Sequence, residues 1–327
     1  MTLGAIIEQL NPPSPTFTEK EVPSLVGKVF IVTGGNSGVG LELVKILYSK
    51  GGTVYIAGRS PIKVAAEIEA IKSTYTASPG HLKSLHLDLN DLTTVPTCVS
   101  AFLAQESRLD VLWNNAGVGR EPVGTTTVQG YEAHIGINCL GHFLLTKLLL
   151  PTLLQTAKSS PKASVRLIFT TSGIIDMFGP PGGLSLTEPH GKTIESNYSA
   201  SKVGNWFLAS EFDKRIRKDG VLSITQNPGS LHTKGWDKVS WYGKLLFKPF
   251  MHEPKMGAYT ELWAGLSPEV KIEDGGRFAT AWGRWRGNLR KDVLEGLKTK
   301  EEGGTGLAAE FWDWCEEQTK GYVGASS

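Results

Sequence analysis

At 327 residues, with 40% hydrophobic and 20% charged side chains, the chain has the composition of a globular protein and room for one large α/β domain or two ordinary ones. A formal net charge of +2, with no dense lysine or arginine stripe, excludes the electrostatic footprint of a nucleic-acid binder. Three scattered cysteines, Cys98, Cys139 and Cys315, exclude a disulfide framework and suit unpaired thiols in a reducing compartment.

Residues 1 to about 25 contain Asn11-Pro12-Pro13-Ser14-Pro15. Proline there forbids a regular helix, so the leader reads as an extended arm. It lacks a basic region followed by an apolar run, and no secretory signal is expected. From Lys28 onward two patterns alternate. Short β-branched runs stand at Val29–Val32, Thr53–Ala57, Leu82–Leu87, Val111–Trp113, Val165–Thr170 and Leu222–Thr225. Amphipathic stretches such as Leu41–Lys50, Val64–Thr74 and Val95–Ala104 lie between them. Parallel strands need crossovers that cover the sheet, so this alternation predicts an α/β fold. The expectation is a single doubly wound Rossmann-type domain over residues 26–327, with a parallel sheet of about seven strands and helices on both faces. The longest apolar run, Phe143–Leu154, is broken by Thr146, Lys147 and Pro151. No transmembrane segment is expected from it, and the expected location is cytoplasmic.

The first strand runs through Thr33 into Gly34-Gly35-Asn36-Ser37-Gly38-Val39-Gly40 and then into helix from Leu41. Glycines let backbone N–H groups approach a pyrophosphate, and the helix N-terminus adds the positive end of its dipole. A glycine turn also serves ordinary tight turns; its place after the first strand makes Gly34, Asn36, Ser37, Gly38, Val39 and Gly40 candidate cofactor contacts. The second strand ends at Gly58-Arg59-Ser60. An acidic residue there would accept hydrogen bonds from the ribose 2′-hydroxyl of NAD. Arg59, with Lys63 close behind, favours the 2′-phosphate of NADP(H) through charge-assisted bonds. Asp88 and Leu89 end the third strand, where the carboxylate can accept from an adenine amino group. Asp91 reads as a helix cap.

Further on, Asn197-Tyr198-Ser199-Ala200-Ser201-Lys202 opens a helix. Tyr198 and Lys202 are four apart and share one helical face. An ammonium beside a phenol favours phenolate and lowers its pKa toward working pH. Tyr198 then serves as acid in ketone reduction and as base in alcohol oxidation. No His-Glu-x-x-His or comparable cluster occurs, so no metal is implied. His134 and His142 read as packing residues.

Across about residues 26 to 290 the chain resembles the short-chain dehydrogenase/reductase family. Thr33-Gly34 through Gly40, Asn114-Asn115-Ala116-Gly117, Asn138, Ser172, Tyr198, Lys202 and Asn227-Pro228-Gly229 fall in that family's order. Asn138-Cys139-Leu140-Gly141-His142-Phe143 and the long gap before Tyr198 resemble the retinol-dehydrogenase-like branch, which includes many fungal secondary-metabolism reductases. The resemblance implies a catalytic set of Asn138, Ser172, Tyr198 and Lys202. It implies that Asn115, Ala116 and Gly117 border the adenosine ribose, with Asn114 supporting the sheet. Asn138 would hold a water in a relay toward Lys202, although it also reads as an asparagine satisfying backbone groups within a helix. Lys202 would bond the nicotinamide ribose, Pro228 and Gly229 would border the nicotinamide, and Thr233 would reach its carboxamide or the phosphates. A homodimer is compatible with the resemblance.

The family's serine usually stands thirteen positions before the tyrosine, which lands on Ser185. Strand Val165–Thr170 instead delivers Ser172 at its carboxyl end, where ligands of such sheets bind. Ser185 follows the loop Gly179-Pro180-Pro181-Gly182-Gly183, with no rigid element to place it, so Ser172 is the expected partner of the substrate oxygen. Trp236, Trp241, Tyr242, Phe247 and Phe250 crowd a segment at about 234–256 that reads as an aromatic lid over an apolar pocket, or as a surface subdomain with its own small core. The sequence thus predicts an NADP(H)-dependent oxidoreductase. It would reduce a ketone or aldehyde, or oxidise the alcohol, of a bulky apolar or aromatic small molecule such as a secondary metabolite. Two other readings stay open: a non-redox isomerase or cyclase using the same pocket, and a non-catalytic dinucleotide-sensing protein.

Overall fold

A computed structural model describes residues 11–186, 191–232 and 251–323. The central strands are mostly apolar and, but for the half-buried Thr53, buried throughout, as strands covered on both faces must be. They are β1 (Val29–Thr33), β2 (Thr53–Gly58), β4 (Val111–Asn114), β5 (Val165–Thr170) and β6 (Val221–Gln226). β3 (His81–His86) alternates exposed and buried residues, and it lies at the edge of the sheet. The sheet has eight strands in the order β3-β2-β1-β4-β5-β6-β7-β8. The first seven run parallel, with Val29 opposite Thr53, Asn114 opposite Phe169 and Thr170 opposite Gln226. β7 (Phe278–Thr280) is joined through Gly283, at φ +90°, to β8 (Arg284–Trp285), which returns antiparallel. An all-parallel sheet was the expectation; the added return strand has only two residues, too few for a period to register.

Two apolar layers sandwich the sheet. On one face, α1 (Gly38–Ser49), α2 (Pro61–Thr74) and α7 (Pro254–Leu266) pack Leu43, Leu47, Ile68, Leu262 and Trp263 against Val32, Trp113 and Ile224. On the other, α3 (Thr94–Leu103), α4 (Ala133–Lys158), α6 (Ile194–Ile216) and α9 (Leu307–Val323) pack Phe102, Phe143, Phe212 and Trp312 against Leu112 and Phe169. Between α4 and α6 lies the short α5 (Ile175–Phe178), and α8 (Lys291–Leu297) precedes α9. Local chemistry starts these helices where the chain must turn. Ser60 accepts from the Lys63 backbone N–H at 3.4 Å with Pro61 in the first turn, and Thr193 accepts from Ser196 N at 3.1 Å, which satisfies N–H groups a helix start leaves open.

Helix α4 is by length and composition long and apolar enough to cross a membrane, although Lys147 and Pro151 interrupt its run. Here Phe143, Leu144, Leu145, Leu149 and Leu153 are buried in the core. No helix or strand forms from 11 to 25. That segment places Phe17, Val22 and Leu25 in the same layer as α1 and α7, and Glu19 pairs with Lys255 at 2.8 Å. Exposed pairs of this kind contribute little, so the three apolar side chains hold the arm down. Buried Arg166 on β5 closes the far end of α7, donating to the carbonyls of Ala264 and Ser267, each at 2.8 Å.

Candidate active site

Strand order reverses between β1 and β4, and in such sheets the ligand crevice opens there, beyond the carboxyl ends of the strands. Gly34 (φ +68°) and Gly38 (φ +56°) take left-handed backbone conformations that L side chains rarely adopt. A Cβ on Gly40 would lie 2.6 Å from Asn115 Nδ2. The turn is clamped from β1 and β4: Asn115 Nδ2 donates to Thr33 O at 2.8 Å, and the backbone N–H groups of Asn115 and Ala116 donate to Thr33 Oγ1 at 2.9 and 3.0 Å. A Cβ on Gly38 would meet none of the described residues within 4 Å; Ser37 borders this helix start, with Val39 buried behind it. Asn36 Oδ1 lies 3.1 Å from where a Cβ of Gly58 would sit, which brings the turn against the end of β2. Arg59 and Lys63 follow, both exposed and in no ion pair among the described residues. A glycine-rich turn whose neighbouring strand end carries two cations fits a phosphorylated dinucleotide. Asp88 Oδ1 accepts from Asn90 N at 3.0 Å, and Leu89 is buried against Gly141. Asp91 accepts from Thr93 N at 3.0 Å, one turn before α3.

The chain continues from β5 into Thr171 and Ser172. Ser172 Oγ accepts from Ile174 N at 3.3 Å, and its hydroxyl lies near enough to the Tyr198 phenol to favour the phenolate. Ser185 lies exposed on the loop beyond Gly183. Tyr198 and Lys202 occupy one face of α6, as their spacing predicts, with Lys202 Nζ 5.6 Å from the Tyr198 ring centre. The electrostatics differ from the sequence expectation. Burial raises the Tyr198 phenol, opposed by the neighbouring Ser172 hydroxyl. The Lys202 ammonium donates to the Thr170 carbonyl at 2.9 Å instead of to the phenol, and burial brings it down to about 8. Desolvation wins over attraction to the cation because Lys202 reaches past the ring.

Asn138 sits in a π-helical turn, Gly136–Leu140, inside α4. Such turns re-aim side chains and are frequent at functional sites. Its Oδ1 accepts from Val118 N at 2.8 Å; its Nδ2 donates to Val118 O and to Ser201 Oγ, both at 2.9 Å. Both amide hydrogens are therefore committed, and only a lone pair on Oδ1 is left for a water. That atom lies on the Lys202 side: a Cβ on Gly117 would be 3.0 Å from Oδ1 and 3.4 Å from Lys202 Nζ. Gly119, in the loop that Asn138 holds, packs against the Tyr198 ring.

Sequence reasoning missed what the two histidines do. His142 is fully buried and its pKa falls to about 4. Its Nδ1 faces Asn138 O and its Nε2 faces Thr33 Oγ1, each at 3.0 Å, so the neutral ring ties the π turn to β1. His134 Nδ1 lies 2.7 Å from Glu132 Oε1, and its Nε2 accepts from Glu121 N at 3.4 Å, holding the far end of the same loop. The fourfold steps His134, Asn138, His142 along one helix were the available signal.

Gly229, at φ +87°, packs against Trp282; a Cβ there would come within 2.7 Å of that ring. The Pro228 carbonyl lies against Gly257 of α7. Thr233 and the aromatic residues Trp236, Trp241, Tyr242, Phe247 and Phe250 lie outside the described residues. The end of the expected lid, Pro254 to Met256, is the first turn of α7. Among the described residues, no group of three or more His, Cys, Asp or Glu could hold a metal ion.

Residues 28–182 match the model of the family described as short chain dehydrogenase. The short-chain dehydrogenase/reductase iacJ of Pestalotiopsis fici is 46% identical over 98% of this chain and 99% of its own. The chain belongs to the short-chain dehydrogenase/reductase family. This family member is an oxidoreductase, and a second relative from Phomopsis amygdali is 47% identical over 96% of each chain. Among solved structures, an uncharacterised protein of Mycobacterium paratuberculosis superposes with a TM-score of 0.68 at 26% identity, covering 94% of this chain and 98% of the other. Pseudomonas aeruginosa RhlG, solved as an NADP active-site complex, shares the fold with a TM-score of 0.62 at 21% identity, over 79% of this chain and 95% of its own.

Proposed function

We propose that this dehydrogenase uses NADP(H) to reduce a ketone or aldehyde on a bulky, largely apolar small molecule such as a secondary metabolite, and runs the alcohol oxidation in reverse. One observation carries the reading: the Ser172 hydroxyl, just past the carboxyl end of β5, lies beside the Tyr198 phenol, with Lys202 one turn further along α6. Two converging hydroxyls can donate to one carbonyl oxygen, which is the charge that develops in reduction. The cofactor, when bound, supplies the hydride. Gly34, Asn36, Ser37, Gly38, Val39 and Gly40 would hold its pyrophosphate. Arg59 and Lys63 would hold the 2′-phosphate, and Asp88, Leu89, Asn115, Ala116 and Gly117 would border the adenosine. Pro228 and Gly229 would flank the nicotinamide. Tyr198 Oη holds the proton to be given; burial keeps it on the phenol at neutral pH, which favours the reductive direction. Ser172 orients the substrate oxygen, while Lys202 and a water held on Asn138 Oδ1 would carry the proton that replaces the one spent. Three free, buried cysteines suit a cytosolic setting.

NADPH and NADH consumption should be followed against aromatic, polyketide, terpenoid and retinoid ketones beside short polar ones. Faster turnover with NADPH, rising with apolar size, supports the reading. Turnover of none of them, or a preference for NADH and short polar carbonyls, contradicts it.

A further inference from the structure

Behind Lys202 lies a carboxyl group that this reading does not use. Glu261, on α7, is fully buried. Helix α7 covers the face of the sheet opposite α6, and Thr170 at the end of β5 joins the two. The Thr170 hydroxyl donates to Glu261 Oε1 at 2.9 Å and accepts from Gln226 Nε2 at 3.0 Å. Its backbone carbonyl accepts from Lys202 Nζ at 2.9 Å and from Asn205 Nδ2 at 2.8 Å. Glu261 Oε2 and Gln226 Oε1 are buried with no hydrogen-bond partner among the described residues. Buried polar atoms without partners are uncommon and call for a reason. A carboxylate offers no donor, whereas the neutral acid does.

Few charges among the described residues surround this carboxyl. Lys202 from α6 is the charged group that acts on it, and β6 presents the neutral Gln226. On β5, Arg166 is engaged by carbonyls at the far end of α7. Glu19 and Lys255 pair at the start of α7, and Glu42 and Lys45 pair with each other on α1. Lys202 in turn is flanked by Cys139, His142 and Tyr198.

We propose that Glu261 is a positioning residue that works through Thr170 and Lys202: it braces the end of β5 and governs the charge state of Lys202, and so sets the upper pH limit of carbonyl reduction. The inference rests on the reading of Tyr198 and Lys202 given above. Burial pushes the carboxyl up to about 8 and the ammonium down to about 8, and each opposes the other's shift. Removing the carboxylate leaves a buried cation uncompensated, so Lys202 gives up its proton at lower pH.

Glu261→Gln keeps an oxygen for the Thr170 hydroxyl and adds donors beside Gln226. The upper limb of kcat/KM against pH should move down by about one unit, a tenfold change in the equilibrium. A second readout needs no turnover. A carboxyl raised from 4.5 to about 8 keeps its proton in the folded chain and loses it in the unfolded one. Wild type therefore loses stability as pH rises through that window, and the glutamine variant does not. The Tm advantage of Glu261→Gln should grow between pH 5 and pH 8. It should grow further on a Lys202→Met background, where no cation draws the carboxyl down. An unchanged upper limb in a folded variant, or a Tm increment equal at both pH values and on both backgrounds, overturns the proposal. Absence of turnover by wild type with every carbonyl removes the catalytic reading instead, and the Tm series still decides whether the two groups are coupled.

Discussion

Replacing Asn138 by alanine removes three hydrogen bonds, two to Val118 and one to Ser201. A neutral hydrogen bond contributes roughly 1 kcal/mol net, and a stranded buried partner costs more. Val118 is half-buried, so water restores part of its pairing, and Ser201 Oγ keeps its own donation to Tyr198 O at 2.7 Å. The loss is therefore about 2 kcal/mol. Unfolding entropy near 2.1 cal/mol/K per residue converts this to a Tm lower by about 3 °C for a chain of this length. The larger effect falls on rate. The freed loop is the one whose Gly119 packs on the Tyr198 ring, and loosened positioning of a proton donor costs tenfold or more, of the order of 10²-fold. Thermal unfolding and kcat with NADPH and a responsive ketone measure both. A variant that melts lower but keeps wild-type kcat would show that the loop does not position Tyr198. One that matches wild type in both would refute the hydrogen-bond reasoning altogether.

Arg59→Ala should weaken NADPH binding by roughly 1–3 kcal/mol, the range for losing a charge-assisted bond, and leave NADH and Tm unchanged because Arg59 is exposed and makes no ion pair among the described residues. Titration of both cofactors at one salt concentration checks it, and equal losses would remove Arg59 from the 2′-phosphate site. His142, lowered by burial from 6.5 to about 4, stays neutral in the folded chain where the unfolded chain takes up a proton. Stability should fall by about 3 kcal/mol as pH drops through that window. Denaturant unfolding of His142→Gln should show a shallower acid loss than wild type; equal slopes would mean that the ring titrates normally.

The fold was legible because its strands are continuous apolar runs separated by helical periods, and a run such as Val29–Thr33 buried at every position has few alternatives. Tyr198 and Lys202 were legible because a spacing of four puts two side chains on one face whatever surrounds them. Ser172 followed from the end of its strand, where counting back from the tyrosine pointed to the loop residue Ser185. What stayed hidden depends on contacts between distant segments. The aim of Lys202 at Thr170 O and the placing of Glu261 across β5 join residues 170, 202 and 261, and no local pattern encodes that. The π turn at Asn138 was equally silent, because helix periodicity on both sides of it is normal. The return strand β8 was too short to read.

Single-turnover reduction by Tyr198→Phe, measured with its NADPH affinity, bears most directly on the assignment of the proton donor. The ring remains and the hydroxyl is lost, so affinity should hold within about twofold while the rate falls by roughly 10²–10⁴, the span of a positioned proton transfer. A Tyr198→Phe enzyme that reduces its ketone at close to the wild-type rate would contradict Tyr198 as the donor and, with it, the proposed reaction.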